Sequence, residues 1–333
     1  MDNPLERPLR AIDAWQQRHR LPALVVAVVK KFGDDQASND VALLTYYAFV
    51  STFPLLLVLV TVTEIVLGSH PVLRRQLLDS ALAEFPVIGP TLRQAVSVPP
   101  SSGFALVVGL AGSFWGGSGL AGTVQNVLNS LWMVPKRQRP GFPFNYLRSI
   151  ALLLLLGLGV VLTAVMTAFA GSGQVLGVSG TGVHLLSVLL TTIIYCGLFM
   201  LAFRLAVSPE VTTRELMLGA VLSGIAWQAL LTLSGTLAAM FLHRSRETTG
   251  VFALVLGLLA WFALQATVTV YVVEFDVVRS RHLWPRGLAQ PPLTSADEDY
   301  LRAAVEAETR RPEQRVDVEF DPGAGLRDRP PPA

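Results

Sequence analysis

Two tyrosines (Tyr46 and Tyr47), a serine (Ser51), two asparagines (Asn126 and Asn129) and a glutamine (Gln265) stand inside stretches that carry no charge and little other polarity. A polar group costs free energy where no water reaches it, so such groups either bridge neighbouring helices or line a path. As a path, the six would line a cavity suited to an amphipathic molecule. As bridges, they would hydrogen-bond helix to helix or sit at headgroup depth. Their residue types leave both readings open. Two charged residues, Arg204 and Glu274, stand near the ends of such stretches. They are expected to reach similar depth and neutralise each other, although Arg204 could instead snorkel to phosphate.

Catalytic chemistry finds no comparable support. His19, His70, His184, His243 and His282 are scattered without metal-ligand spacing, and no nucleophile elbow or Walker loop is present. Gly116-Gly117-Ser118-Gly119 has neither the lysine nor the preceding strand that phosphate cradling needs. The single cysteine, Cys196, excludes an intramolecular disulfide and a cysteine zinc site. No catalytic residue, metal or cofactor is expected, and the chain is not expected to be an enzyme. A net charge of +2 gives no ground for nucleic-acid binding.

The elements that position these residues follow from the charge-free stretches, which are Val41–Thr63, Gln94–Pro135, Ser149–Phe203, Leu216–Leu242 and Thr248–Val273. A membrane-spanning helix needs about 20 apolar residues at 1.5 Å rise each. The third stretch has room for two spans and a Gly/Ser turn, Gly171–Gly182. The expected fold is an all-α integral membrane protein with six transmembrane helices, at about 42–67, 104–131, 149–170, 183–203, 216–242 and 251–275. With 52% hydrophobic and only 15% charged residues, a soluble domain of this length would be short of polar surface. Pro54 is expected to kink the first span. In the second, Gly112-x-x-x-Gly116, with Gly109, Ser113 and Gly117 on a neighbouring stripe, reads as a helix-packing seam, with a dimer seam or a hinge as alternatives.

Outside this domain (41–280), a basic arm, residues 1–40, carries Leu9, Ile12 and Trp15 at helical spacing beside Arg10, Arg18 and Arg20. It either lies on an anionic membrane surface or packs on the protein's own cytoplasmic loops. It has no signal peptide of the usual form, so the first span is expected to act as the insertion signal. Short amphipathic interfacial helices are expected within Pro71–Pro100. Residues 281–333 are expected to be a largely disordered tail, with one short helix introduced by a capping box at Ser295 and Glu298. Counting Lys and Arg on alternate sides of six spans gives 21 against 5. The positive-inside rule then places both termini in the cytoplasm.

Three runs carry a family resemblance. Ala42-Leu43-Leu44-Thr45-Tyr46-Tyr47-Ala48-Phe49-Val50-Ser51-Thr52-Phe53-Pro54-Leu55 resembles the first span of the YihY/BrkB family of inner-membrane proteins. Leu128-Asn129-Ser130-Leu131-Trp132-Met133-Val134-Pro135 resembles that family's segment after span 2. Gly250-Val251-Phe252 through Trp261, then Tyr271 and Glu274, resembles its last span. The likeness covers roughly residues 25–280, with Ser208-Pro209 and Phe275 departing from the pattern. It implies a multi-pass protein of the bacterial inner membrane in contact with membrane lipids. The family's former ribonuclease label finds no matching residues here. The functional expectation is a transporter or lipid-handling protein with a cytoplasm-facing polar cavity. The alternative is a scaffold that recruits partners through its termini. The identity of any protein partner and a homo-oligomeric state are left open.

Overall fold

The computed structural model describes residues 6–67, 69, 75, 103–175, 181–244 and 250–320. Among them the secondary structure is helical throughout, with no strand. Two short helices come first, α1 (Glu6–Arg18) and α2 (Arg20–Asp34). Six long ones follow: α3 (Ala37–Leu67), α4 (Gly103–Leu131), α5 (Phe144–Val175), α6 (Thr181–Ala206), α7 (Thr213–Arg244) and α8 (Gly250–Ser280). The last is α9 (Ser295–Ala307). Each of the six expected spans falls inside one of α3–α8. Four stretches of described residues are long and apolar enough to cross a membrane: Phe144–Thr163, Leu185–Ala206, Thr213–Leu233 and Val255–Ser280. The expected interfacial helices of Pro71–Pro100, and the tail beyond residue 320, lie outside the described residues.

α3, α5, α6, α7 and α8 run past the charge-free stretches that define them, whereas α4 stops inside its stretch on a local signal. Three chain turns adopt a left-handed residue that is not glycine: Gln36, Met133 and His282. At the end of α4, the Val134 N–H donates to Asn129 O (2.9 Å) and the Met133 N–H to Ser130 O (2.8 Å). This pattern satisfies carbonyls that the helix end would otherwise orphan. Within α3, Pro54 is accommodated without a break.

α3 packs on α4 and α8, α6 lies between α5 and α7, and α8 also touches α7 and α2. The connections gather at one end of the bundle. Lys31 of α2 donates to Leu131 O at the end of α4 (2.9 Å). Arg148 of α5 donates to Val207 O just after α6 (3.2 Å). The Arg137 N–H bonds Thr309 O (3.0 Å). The starts of α5 and α7 and the ends of α4, α6 and α8 therefore lie beside the N-terminal arm and the C-terminal segment. Much of the buried core sits here, with Leu131, Trp132, Phe203, Val207, Leu216, Val273, Val277 and Tyr300 in one cluster. Along the shaft the outward side chains are different. Leu185, Leu186, Leu189, Leu190 and Ile193 of α6 are exposed, an apolar surface that water would not tolerate at this size.

Two expectations are corrected. Residues 281–309 are folded and not a largely disordered tail, because Arg286, Ala296, Asp297, Tyr300 and Thr309 are buried against the arm and the helix ends. The capping box of α9 is made one residue earlier than expected, by Thr294 and Asp297.

Candidate functional site

The glycines of α4 decide how closely its neighbours approach. A Cβ on Gly112 would lie 3.2 Å from Pro54 Cβ, one on Gly116 3.2 Å from Ser51 Cα, and one on Gly119 2.6 Å from Tyr47 Cε1. These three residues bring α4 onto α3 and lay the Tyr47 ring over Gly119. Gly117 faces α5, where a Cβ would meet Leu153 Cδ2 at 2.6 Å. Gly112, Gly116, Gly117 and Gly119 thus form internal packing contacts on both sides of an uninterrupted helix. The surroundings of Gly109 and Ser113 lie outside the described side chains. Around Gly122 nothing lies within 4 Å of a would-be Cβ, and here the helices part.

The parting leaves a groove of about 310 Å³, lined by Tyr46, Tyr47, Trp115, Ser118, Asn145 and Ser149 among others. Tyr46 and Tyr47 meet edge to face at 5.2 Å between centroids. Trp115 is 71% exposed and Tyr46 54%, so aromatic side chains frame a sideways opening. The inner wall is fixed by hydrogen bonds. Gln125 Nε2 donates to Ser149 Oγ (2.9 Å), and Ser149 Oγ donates to Asn145 O (3.0 Å). The combination is an aromatic rim around a few oriented polar groups, typical of a site for one amphipathic group.

The residues singled out by sequence divide. Tyr46 and Tyr47 line the groove. Ser51 is buried beneath it against Gly116, its hydroxyl donating to Ala48 O (3.2 Å). Asn126 is exposed and is not among the groove's lining residues, and Gln265 is buried in α8 away from it. Asn129 is a bridge. Its Nδ2 donates to Ala206 O (2.9 Å), and its Oδ1 accepts the Ser208 N–H (2.8 Å), which closes the end of α6. Trp115 and Asn145 join the lining without having been expected there, and Ser118 and Ser149 stood in the sequence only as part of a glycine-rich run and as the edge of an apolar stretch. Asn145 and Ser149 lie at the start of α5, just outside or at the edge of the apolar stretch, and the other two are neighbours of the glycines.

Arg204 and Glu274 are not brought together. Arg204 is exposed, whereas Glu274 is fully buried with its Oε2 2.7 Å from Lys31 Nζ. Lys31, also fully buried, reaches Asp35 Oδ2 (2.5 Å) and Leu131 O (2.9 Å) as well. Three oxygens thus surround an ammonium with three donors. Neither Glu274 oxygen has a hydrogen-bond partner among the described residues, so Lys31 holds this carboxylate as an ion pair alone.

From Asp35 the network runs into the C-terminal segment. Tyr300 OH donates to Asp35 Oδ1 (2.5 Å), and the Arg286 guanidinium stacks 4.2 Å above the Tyr300 ring. Arg286 also pairs with Asp34 and Asp297, each at 2.8 Å, and Lys30 reaches Asp297 at 2.9 Å. Burial alone would raise the Asp297 carboxyl. The Gly287 N–H, Lys30, Thr294 and Arg286 outweigh it and hold Asp297 well below the usual carboxylate range. Burial, then the charge of Asp35 and the hydrogen bond to it, push the Tyr300 phenol far upward. Asp13 accepts the N–H groups of Leu288 and Ala289, and Gln16 donates to Arg286 O. The arm thus turns its polar face inward, while Ile12, Trp15, Leu21 and Val25 stay exposed. Asp34, Asp35, Asp297 and Glu274 are all engaged by cations of this cap.

Comparison with known proteins agrees with this architecture. The family model for virulence factor BrkB matches residues 28–294. Inner membrane protein YhjD of Escherichia coli (strain K12) is 25% identical over 298 residues, covering 83% of this chain and 87% of the relative. An uncharacterized protein of Dickeya dadantii (strain 3937) is 24% identical over 282 residues, covering 78% of this chain and 85% of the relative. No solved structure matches significantly. The matched region runs from the buried lysine's helix through all six long helices to the segment that caps them, and the chain is a membrane protein of the BrkB family.

Proposed function

We propose that the chain crosses the bacterial inner membrane six times with both termini in the cytoplasm, and that the groove between α3, α4 and α5 handles a lipid or small amphipathic solute. The groove carries this reading, because it joins an aromatic mouth at the side of the bundle to polar groups held in place behind it. Support for the topology is independent. The arm, the α4–α5 and α6–α7 connections and the C-terminal segment gather at one end, and their described residues with the adjoining helix ends hold 19 of the 26 Lys and Arg. If that end is cytoplasmic, the groove opens within the inner leaflet, and the exposed apolar stripe of α1 and α2 lies at the membrane surface. The role is proposed to be non-enzymatic.

The test is reconstitution into liposomes with labelled lipids and small solutes. Translocation or extraction is expected with the wild-type chain and is expected to fall at least severalfold in Gly122→Trp, which fills the groove. Equal activity in both would remove the groove as the route. The scaffold alternative is weakened because much of the charge of the termini is used in joining them to each other and to α8.

A further inference from the structure

We infer that a second cavity, on the other side of α5, binds the phosphate of an anionic phospholipid. The cavity is a wide, open depression of about 560 Å³ between the first turns of α5 and the two connections at the same end, with Phe144, Leu147, Arg148, Ala151, Ser208 and Glu210 in its wall. None of these residues lines the groove described above. The inference requires α5 and α6 to cross the membrane but does not require the groove to carry anything.

Charge, shape and surroundings all point to this ligand. Arg148 has five N–H donors. One guanidinium nitrogen bonds Val207 O at 3.2 Å, and no other bond to it is made among the described residues. Arg204, the exposed cation of α6, is near enough for its charge to act on Arg148. Arg204 is not in the cavity's wall, and neither guanidinium forms an ion pair with a described carboxylate. Glu210 lines the cavity too, but lies beyond ion-pair distance of both. A phosphodiester accepts the planar fork of arginine in two bonds, and the nearby charge of Arg204 adds to the attraction for an anion at Arg148.

The apolar side selects a lipid over a soluble phosphate. Phe144, Leu147 and Ala151 lie along one face of α5, and Leu154 continues it one turn further. Phe144, Leu147 and Leu154 are exposed. A headgroup at Arg148 would therefore set an acyl chain along this ridge. The walls are braced without the ligand, since Ser208 Oγ donates to Gln138 O (3.0 Å) and Arg139 Nε to Val134 O (3.1 Å). Basic pockets between transmembrane helices on the cytoplasmic side are where acidic headgroups collect.

The experiment is a binding titration of the full chain in nanodiscs of phosphatidylcholine doped with phosphatidylglycerol, read by native mass spectrometry of retained lipid. Wild type is expected to retain phosphatidylglycerol over phosphatidylcholine by at least tenfold. Arg204→Gln, which breaks no bond to a described residue, is expected to cut that preference severalfold, and Arg148→Gln with Arg204→Gln to abolish it. Arg148→Lys is expected to keep part of it, which guards against a loss caused by misfolding. Equal retention of both lipids, or a preference unchanged in Arg204→Gln and in the double variant, would overturn the inference. So would displacement by millimolar inorganic phosphate or glycerol phosphate as effective as displacement by the lipid, because the ligand would then be a free phosphate.

Discussion

Lys31 and Glu274 are the pair on which the cap is built. Both are removed from water, and burial makes the pair costly to break from either side. Asp35 and Leu131 O do this for Lys31. Lys31→Met is therefore expected to leave Glu274 as an unpaired buried charge and to cost about 3–5 kcal/mol, seen as lost expression or a lower melting temperature in detergent. Lys31→Met combined with Glu274→Leu is expected to recover much of that loss. Arg204→Ala is expected to change stability little, and a loss as large as that of Lys31→Met would restore the pairing with Glu274 that the sequence suggested. A smaller effect belongs to Asn129→Ala. It strips two partners from the end of α6 and is expected to cost about 1–3 kcal/mol. At His282, exposed and left-handed, glycine is expected to stabilise by up to about 1 kcal/mol in the same assay.

Between elements, two interfaces govern the behaviour: the α3–α4 seam and the docking of α9. Gly116→Leu places a branched chain where Ser51 Cα already stands 3.2 Å from a Cβ, and is expected to part the helices and lower the yield of folded protein sharply. Docking of α9 responds to pH through two groups. The Asp297 pKa is depressed by folding, so its contribution is complete above the ordinary carboxylate value of about 4 and is lost as pH falls below it. The Tyr300 pKa is raised, so its contribution is complete below the ordinary phenol value of about 10 and is lost as pH rises above it. Hydrogen exchange of α9 is expected to loosen as pH falls below about 4 and as it rises above about 10, and protection unchanged at both extremes would contradict these assignments. The six long helices were legible because an apolar run of span length has few other solutions. Their ends were not, since Asp40, Arg148 and Arg214 continue helices that the charge-free criterion stops. The pairing of Glu274 was also illegible. Arg204 was the expected partner because it closes another helix at similar depth, and only the folding of α2 against α8 brings Lys31 to Glu274 instead. The C-terminal segment looked disordered because its composition is rich in charge, and the sequence does not announce that Asp297, Arg286 and Lys30 neutralise one another across more than 250 residues.

For the whole molecule, the cap ties both ends of the chain to the ends of α4, α6 and α8. Truncation before Pro285 removes Arg286, Asp297 and Tyr300 together, so it is expected to destabilise the helices themselves and cannot separate a scaffold from a transporter. Truncation after Phe320 leaves the network whole. It is expected to preserve both folding and any transport, whereas a scaffold acting through the final residues would lose its phenotype. The proposed groove, the lipid site and the arm on the membrane surface all require the capped end to face the cytoplasm. The direct measurement is cysteine accessibility in intact cells with a membrane-impermeant maleimide, using single cysteines at Arg10, Arg310 and Ser69 in a Cys196→Ser background. The expected result is labelling of the Ser69 position in intact cells and of the Arg10 and Arg310 positions only after permeabilisation. Labelling of Arg10 and Arg310 from opposite sides, or of both from outside, would contradict the six-crossing arrangement and with it the placement of both proposed sites.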